Sequence, residues 1–168
     1  DIVIKPTWEE YKKEKDSDIL IEIDPGIAFG TGSHETTKLC IQALDKYVKT
    51  GDSVLDVGCG SGILSIAALK LGAKHATAID IDEVAVKVAA ENMAVNHIPS
   101  SDYTLYDGDL ISNAFLKVKA GTGHDIVVAN ILADVIIPLT GVVKPHLKKG
   151  GLYITSGIID TKEAEVRE

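Results

Sequence analysis

The stretch Val54-Leu55-Asp56-Val57-Gly58-Cys59-Gly60-Ser61-Gly62 places the tightest limit on what this chain can fold into. Val54, Leu55 and Val57 are apolar and mostly β-branched, which suits a strand covered on both faces. Glycines at 58, 60 and 62 then remove side chains where the backbone must bend sharply and admit a ligand. Ile63 to Leu71 follows as an apolar run of helical length, so the unpaired N–H groups of its first turn point back at the glycines. A strand, a glycine turn and a helix N-terminus in that order form a cradle for a nucleotide-type cofactor.

The same alternation continues downstream. Ala76–Asp80 reads as the next strand, and Asp80 or Asp82 can cap a helix whose apolar face carries Val84, Val88 and Val95. Tyr103–Tyr106, Asp125–Asn130 and Leu152–Ser156 are further strands. Ile111–Val118 fits either a short helix or irregular chain, and Ile131–Leu147 is helical in pattern but disturbed by Pro138 and Pro145. Strands alternating with helices predict an α/β fold with a doubly wound, mostly parallel sheet. Right-handed crossovers and a reversal of strand order at the Val54 strand follow.

Upstream, Ile2–Ile4 and Ile19–Ile23 bracket a charged run from Glu9 to Asp18. Residues 1–24 are read as an N-terminal lead-in containing a strand or hairpin, with Trp8 as a packing anchor, and residues 25–168 as the cofactor-binding domain. Asp24–His34 is a second glycine-rich loop, with glycines at 26, 30 and 32 beside Pro25. Phe29 lies in its middle and needs something to cover. Cys40, Ala43, Leu44, Tyr47 and Val48 then recur at helical spacing, with Thr36 and Thr37 in the first turn.

Composition narrows the function. The 168 residues carry 45% hydrophobic side chains, enough for one real core, and a formal net charge of −8. That acidity argues against direct binding to nucleic acid, which needs a basic surface. Cys40 and Cys59 form no CxxC pair, and the histidines at 34, 75, 97, 124 and 146 lack ligand spacing, so no metal site is expected. No run approaches the ~18 apolar residues of a membrane span, and no signal pattern opens the chain; a soluble, cytoplasmic protein is expected.

In doubly wound sheets, ligands sit beyond the carboxyl ends of the strands at the switch point. The Gly58–Gly62 turn, Asp80, Asp109 and Asn130 all fall there. Asp80 lies 22 residues past Gly58, the spacing at which an acid reaches a ribose hydroxyl. Each acid alone has a plainer role as the cap of the next helix. A dinucleotide fingerprint would need glycine at 63, where this chain has Ile63. It has instead Asp56-x-Gly58-x-Gly60-x-Gly62, which resembles motif I of the class I S-adenosylmethionine-dependent methyltransferases. S-adenosyl-L-methionine has no pyrophosphate and carries a sulfonium and an ammonium, so acids around the turn complement it. Asp80 suits its ribose, and apolar contacts with a polar group near Asp109 suit its adenine.

With the loop Asp24–His34 and the adjoining Glu35-Thr36-Thr37 added, the chain resembles the ribosomal protein L11 methyltransferase family (PrmA) from about Trp8 to Gly157. The matching segments include Val54–Ala68, Ala78–Asp82 and Val128–Leu132. The resemblance implies a Rossmann-like sheet of order 3-2-1-4-5 and transfer of methyl groups to lysine and N-terminal amines of a large-subunit ribosomal protein. It implies cofactor contacts at Thr37, Gly58, Asp80 and Asn130, with Gly60 in the same turn; Phe29 and Gly30 are added as a cover over the methionine end. It names no catalytic base. Asn130 is followed by Ile131-Leu132 rather than the Pro-Pro-Tyr of amide and adenine methyltransferases. The family usually has proline where Glu35 stands, which bears on loop stiffness. The resemblance also implies a substrate-recognition domain ahead of Asp1 and further strands beyond Glu168, so a trimmed C-terminus is expected, with Asp160 and Glu163 spaced as a capping box. The other readings are a class I methyltransferase for a small molecule and a non-enzymatic cofactor-binding module.

Overall fold

The computed structural model of the chain describes residues 1–24 and 35–158. The glycine loop at 26–32 with Phe29 and Gly30, and the Asp160–Glu163 capping box, lie outside the described residues.

Strands β1 (Ile2–Pro6) and β2 (Ile19–Ile23) pair in parallel, Ile2 opposite Ile19 and Pro6 opposite Ile23. The hairpin alternative is therefore corrected. A hairpin needs only a tight turn, whereas residues 7–18 carry the chain back to the end it started from. Buried Asp18 fastens that return by accepting from the Lys15 backbone N–H at 3.0 Å.

Helix α1 (Glu35–Tyr47) leads into β3 (Ser53–Val57), α2 (Ile63–Lys70), β4 (His75–Asp80), α3 (Glu83–Val95) and β5 (Tyr103–Asp107). Then come α4 (Ala114–Ala120), β6 (His124–Asn130), α5 (Ala133–Val143), a single 3-10 turn at Lys144–His146 and β7 (Leu147–Ser156). The five-stranded sheet runs β5-β4-β3-β6-β7 with every neighbouring pair parallel. Counted within the sheet, that is the expected order 3-2-1-4-5. The direction of winding reverses between β3 and β6.

Alternation along the strands builds a core on each face of the sheet. Val54, Ile126 and Val128 face α1 and α2, while Leu55, Val127 and Ala129 face α4 and α5. Helix α2 is apolar all round, with Ile63 through Ala68 buried, because it is covered twice. The sheet lies beneath it, and Ile21 and Ile23 of β2 close over it from outside. Each of those isoleucines contributes about 1.5–3 kcal/mol by burial. The lead-in strands are thus part of the wall that holds the helix behind the glycine turn.

Three local expectations are refined. Ile111–Val118 resolves into α4, started by Asn113, whose Oδ1 accepts from Leu116 N at 3.0 Å. The helix expected over 131–147 stops at Val143, because Pro145 cannot continue the backbone ladder. Pro138 lies inside it and forfeits one intrahelical bond, that to the Asp134 carbonyl. Strand β7 begins at Leu147, earlier than Leu152: Leu147 pairs with His124, the chain bulges through Gly150, and regular pairing resumes at Leu152 opposite Ile126.

At the amino end of the sheet His124 is buried between two partners. Its Nε2 donates to the Ala120 carbonyl at 2.7 Å, so Nδ1 is the acceptor for the Ser53 hydroxyl at 2.8 Å. Burial holds its pKa below the usual histidine value, with the neighbouring His146 and His75 acting in the same direction and Ala120 and Asp125 opposing. The unfolded chain therefore takes up protons that the folded ring resists. Stability is complete above about pH 6.5 and declines as pH falls through the lower folded value. We expect the denaturation midpoint to drop between pH 7 and pH 5, and His124→Gln to flatten that drop.

Candidate functional site

The glycine turn lies at the carboxyl end of β3. Gly58, Gly60 and Gly62 have φ of 78°, 52° and 81°, in the left-handed region that favours glycine. At Gly58 a Cβ would stand 2.3 Å from Ile131 Cγ2, so this position forbids a side chain on two separate grounds. The N–H groups of Gly58 and Cys59 both donate to the Ile79 carbonyl, at 2.8 and 3.0 Å, which ties the turn to the end of β4.

Asp80 braces the turn directly. Its Oδ2 accepts from Gly60 N at 2.8 Å and its Oδ1 from Asp82 N at 3.0 Å. Asp82, not Asp80, caps α3, accepting from Val84 N at 2.9 Å. Asp80 is half-buried at the strand end, and its carboxylate stands beside the turn it holds.

Asp56 is fully buried beneath the same turn. Its Oδ2 accepts from the Ser65 hydroxyl at 2.7 Å, whereas Oδ1 has no hydrogen-bond partner among the described residues. Burial pushes its carboxyl up to about 7, and the charge on Asp80 adds to the rise against the Ser65 bonds. A buried carboxylate oxygen without a donor is costly. Burial answers that cost by raising the pKa, so the group is neutral below about 7, and its charged form would be relieved by a cation or an N–H donor reaching Oδ1.

Asn130 ends β6 across the switch point, and its Nδ2 donates to the hydroxyl of buried Thr37 on α1 at 3.2 Å. That bond fixes the amide and leaves Oδ1 on its other branch. Asp109 is half-buried beyond β5, next to Gly108, whose N–H donates to the Asp80 carbonyl at 2.8 Å. The Asp109 oxygens accept from Ile111 N at 2.9 Å and from the Ser112 hydroxyl at 2.6 Å, bonds that lower its pKa. It is first of all a local turn cap. Gly60 with Asp80, and Thr37 with Asn130, are therefore brought into contact, while Asp109 stands beside them; Phe29 and Gly30 lie outside the described residues.

Sequence reasoning missed Ser65, Ile131 and Asn92. Ser65 and Ile131 carried no signal, since each reads as part of an apolar helix or strand end. Asn92 did carry one. Asparagine in a helix interior competes with the backbone it sits in, and Asn92 is followed four residues later by Asn96.

Among the described residues, no group of three His, Cys, Asp or Glu side chains is placed to hold a metal ion, and no helix is long and apolar enough to cross a membrane.

The parallel sheet, its order and its glycine turn define the Rossmann-like fold of class I methyltransferases. A precorrin 8W decarboxylase from Methanobacterium thermoautotrophicum shares that fold, with TM-score 0.68 at 23% identity over 86% of this chain and 73% of its own. The family described as "Ribosomal protein L11 methyltransferase (PrmA)" matches residues 1–168, and the chain belongs to it. A ribosomal protein L11 methyltransferase of Agathobacter rectalis is 58% identical, across 100% of this chain and 53% of its own length. That of Lachnoclostridium phytofermentans is 54% identical, across 99% and 54%. The crystal structure of a ribosomal protein L11 methylase from Lactobacillus delbrueckii subsp. bulgaricus superposes with TM-score 0.87 at 36% identity, covering 99% of this chain and 81% of that one. The chain spans about half the length of the curated relatives it matches.

Proposed function

We propose that this domain binds S-adenosyl-L-methionine and transfers its methyl group to amines of a large-subunit ribosomal protein, lysine side chains and the N-terminal amine. The observation that carries the reading is the partnerless Oδ1 of buried Asp56 under a glycine turn braced by Asp80. A pyrophosphate would be repelled there, whereas a ligand with two positive centres is matched. The names of the relatives support ribosomal protein L11 as the substrate and, with it, a cytoplasmic setting where ribosomes are built. We read residues 25–168 as the cofactor-binding domain and residues 1–24 as its lead-in.

When bound, S-adenosylmethionine supplies a methyl group that its sulfonium already makes electrophilic. This chain's residues then bind and orient. In this reading Gly58 and Gly60 give the ligand access to the backbone, Asp80 accepts from the ribose hydroxyls, and Asp109 lies toward the adenine. Asn130, steadied by Thr37, holds the methionine end or receives the amine, and Phe29 with Gly30 covers it. Alignment can supply on the order of 7–11 kcal/mol of the barrier. The attacking amine must arrive neutral, although a free lysine titrates near 10.4, so a pocket that excludes water favours the form that reacts.

Calorimetry with S-adenosylmethionine and with NAD tests the ligand; saturable NAD binding with no response to S-adenosylmethionine would sink the reading. Labelled methyl transfer to purified ribosomal protein L11 tests the substrate, and transfer only to small amines would replace it with a small-molecule enzyme. For the site, Asp80→Ala is expected to weaken cofactor binding by about 1–3 kcal/mol, the range for bonds to a charged group. An unchanged affinity removes Asp80 from the ribose.

A further inference from the structure

Two asparagines of α3 and its C-terminal cap grip the free edge of β2. Glu22 and Asp24 lie two residues apart, so their N–H and C=O groups leave β2 on the side away from β1, about 6.6 Å from one another. Asn92 and Asn96 lie four apart on a helix, about 6 Å along its axis. The two spacings nearly coincide, and the side-chain amides close the edge as a neighbouring strand would. Asn96 Oδ1 accepts from Glu22 N at 2.9 Å and its Nδ2 donates to Glu22 O at 2.6 Å. Asn92 Oδ1 accepts from Asp24 N at 2.9 Å and its Nδ2 donates to Asp24 O at 3.2 Å.

The second bond from each Nδ2 separates the two residues. Asn96 returns its remaining proton to the helix, on Asn92 O at 2.8 Å. Asn92 sends its own to Ser61 O in the glycine turn, at 2.9 Å and fully buried. Three chain segments meet at this amide: the turn under the proposed cofactor, the backbone at Asp24, and helix α3, whose first turn follows directly on Asp80. The peptide plane between Ser61 and Gly62 is thereby held from both sides, its carbonyl by Asn92 and its N–H on the Cys59 carbonyl at 2.8 Å, so the amide of Asn92 fixes the shape of the turn itself.

We infer that Asn92 is a positioning residue for S-adenosylmethionine, setting the height of the glycine turn through the Ser61 carbonyl, while Asn96 is a purely architectural counterpart one helical turn away. The inference rests on the cofactor reading above. Neither asparagine touches the ligand's expected place. What differs is the segment each one holds.

The paired variants Asn92→Ser and Asn96→Ser provide the test. Both are expected to lower the denaturation midpoint. Asn92→Ser alone is expected to weaken S-adenosylmethionine binding by about tenfold, a loss corresponding to one or two hydrogen bonds, raising the cofactor KM with kcat at saturation kept. Asn96→Ser is expected to bind as the wild type does. Equal affinities in the two variants, whether both kept or both lost, overturn the inference. If Asn92→Ser fails to fold, side-chain amide signals of the wild-type protein decide: the cofactor is expected to shift those of Asn92 and not those of Asn96, and equal shifts or none overturn it. A wild-type protein that binds no S-adenosylmethionine removes the cofactor reading itself.

Discussion

Replacing Asp56 with asparagine is expected to stabilise the cofactor-free protein at pH 8 while removing most of its affinity for S-adenosylmethionine. The stabilisation follows from where the carboxyl sits. Its pKa is raised by burial from 3.8 to about 7, so the folded protein holds a proton there that the unfolded chain releases near pH 4. The contribution to stability is therefore greatest in acid, declines as pH rises toward 7, and stays low above it. At about 1.4 kcal/mol per unit, the charged form costs about 4 kcal/mol at pH 8. Asparagine removes that charge and still accepts from Ser65, but leaves a partnerless amide in place of the orphaned oxygen, worth about 1–3 kcal/mol in the other direction. A net gain of about 1–3 kcal/mol in urea denaturation at pH 8 is expected, shrinking to nothing or reversing by pH 5. Cofactor binding moves the opposite way. The wild-type affinity is expected to climb with pH through 7 as the carboxylate forms, and the asparagine variant to bind weakly with a flat profile. A variant no more stable at pH 8 than the wild type would mean that Asp56 finds a donor in the protein.

Gly58→Ala carries the second large effect. The substituted residue would occupy φ of 78°, which costs about 1–2 kcal/mol for an L side chain, and its Cβ would fall 2.3 Å from Ile131 Cγ2. Relieving that overlap costs about 1–3 kcal/mol more, because Ile131 is packed into the core on the α5 side. A destabilisation of about 2–5 kcal/mol and loss of measurable cofactor binding are expected. The two causes separate in the double variant. Adding Ile131→Ala to Gly58→Ala is expected to restore the steric part and leave the backbone part, so recovery is partial. Full recovery would show that the φ of this turn carries no strain, and no recovery that the clash is not with Ile131.

The central sheet was legible in the sequence because β3, β4 and β6 are short apolar runs, closed by the Gly58 turn, Asp80 and Asn130, a pattern set by burial on both faces. Gly58, Gly60 and Asp80 stood out together, because glycines at alternate positions mark a tight turn and the acid follows at ribose spacing; the acid alone would read as a helix cap. The pairing of β1 with β2 was not legible. Parallel and antiparallel strands carry the same composition, and the choice was made by the path of residues 7–18. Nor was the orphaned oxygen of Asp56, whose environment depends on Ser65 and on the closure of α2 above it. The end of α5 was misjudged for another reason. Val142, Val143 and Leu147 continue an apolar pattern into β7, and periodicity alone does not distinguish a buried helix from the start of a buried strand.

The grip of α3 on β2 also orders events during synthesis. Glu22 and Asp24 emerge from the ribosome before the amides that close their edge, which lie 74 and 68 residues further along the chain. Until α3 has formed, β2 offers an unpaired edge rich in isoleucine, the kind of surface that recruits other strands. Strand β2 is thus made well before the amides that protect it, and a nascent chain stalled between Asp24 and Asn92 would expose that edge to aggregation.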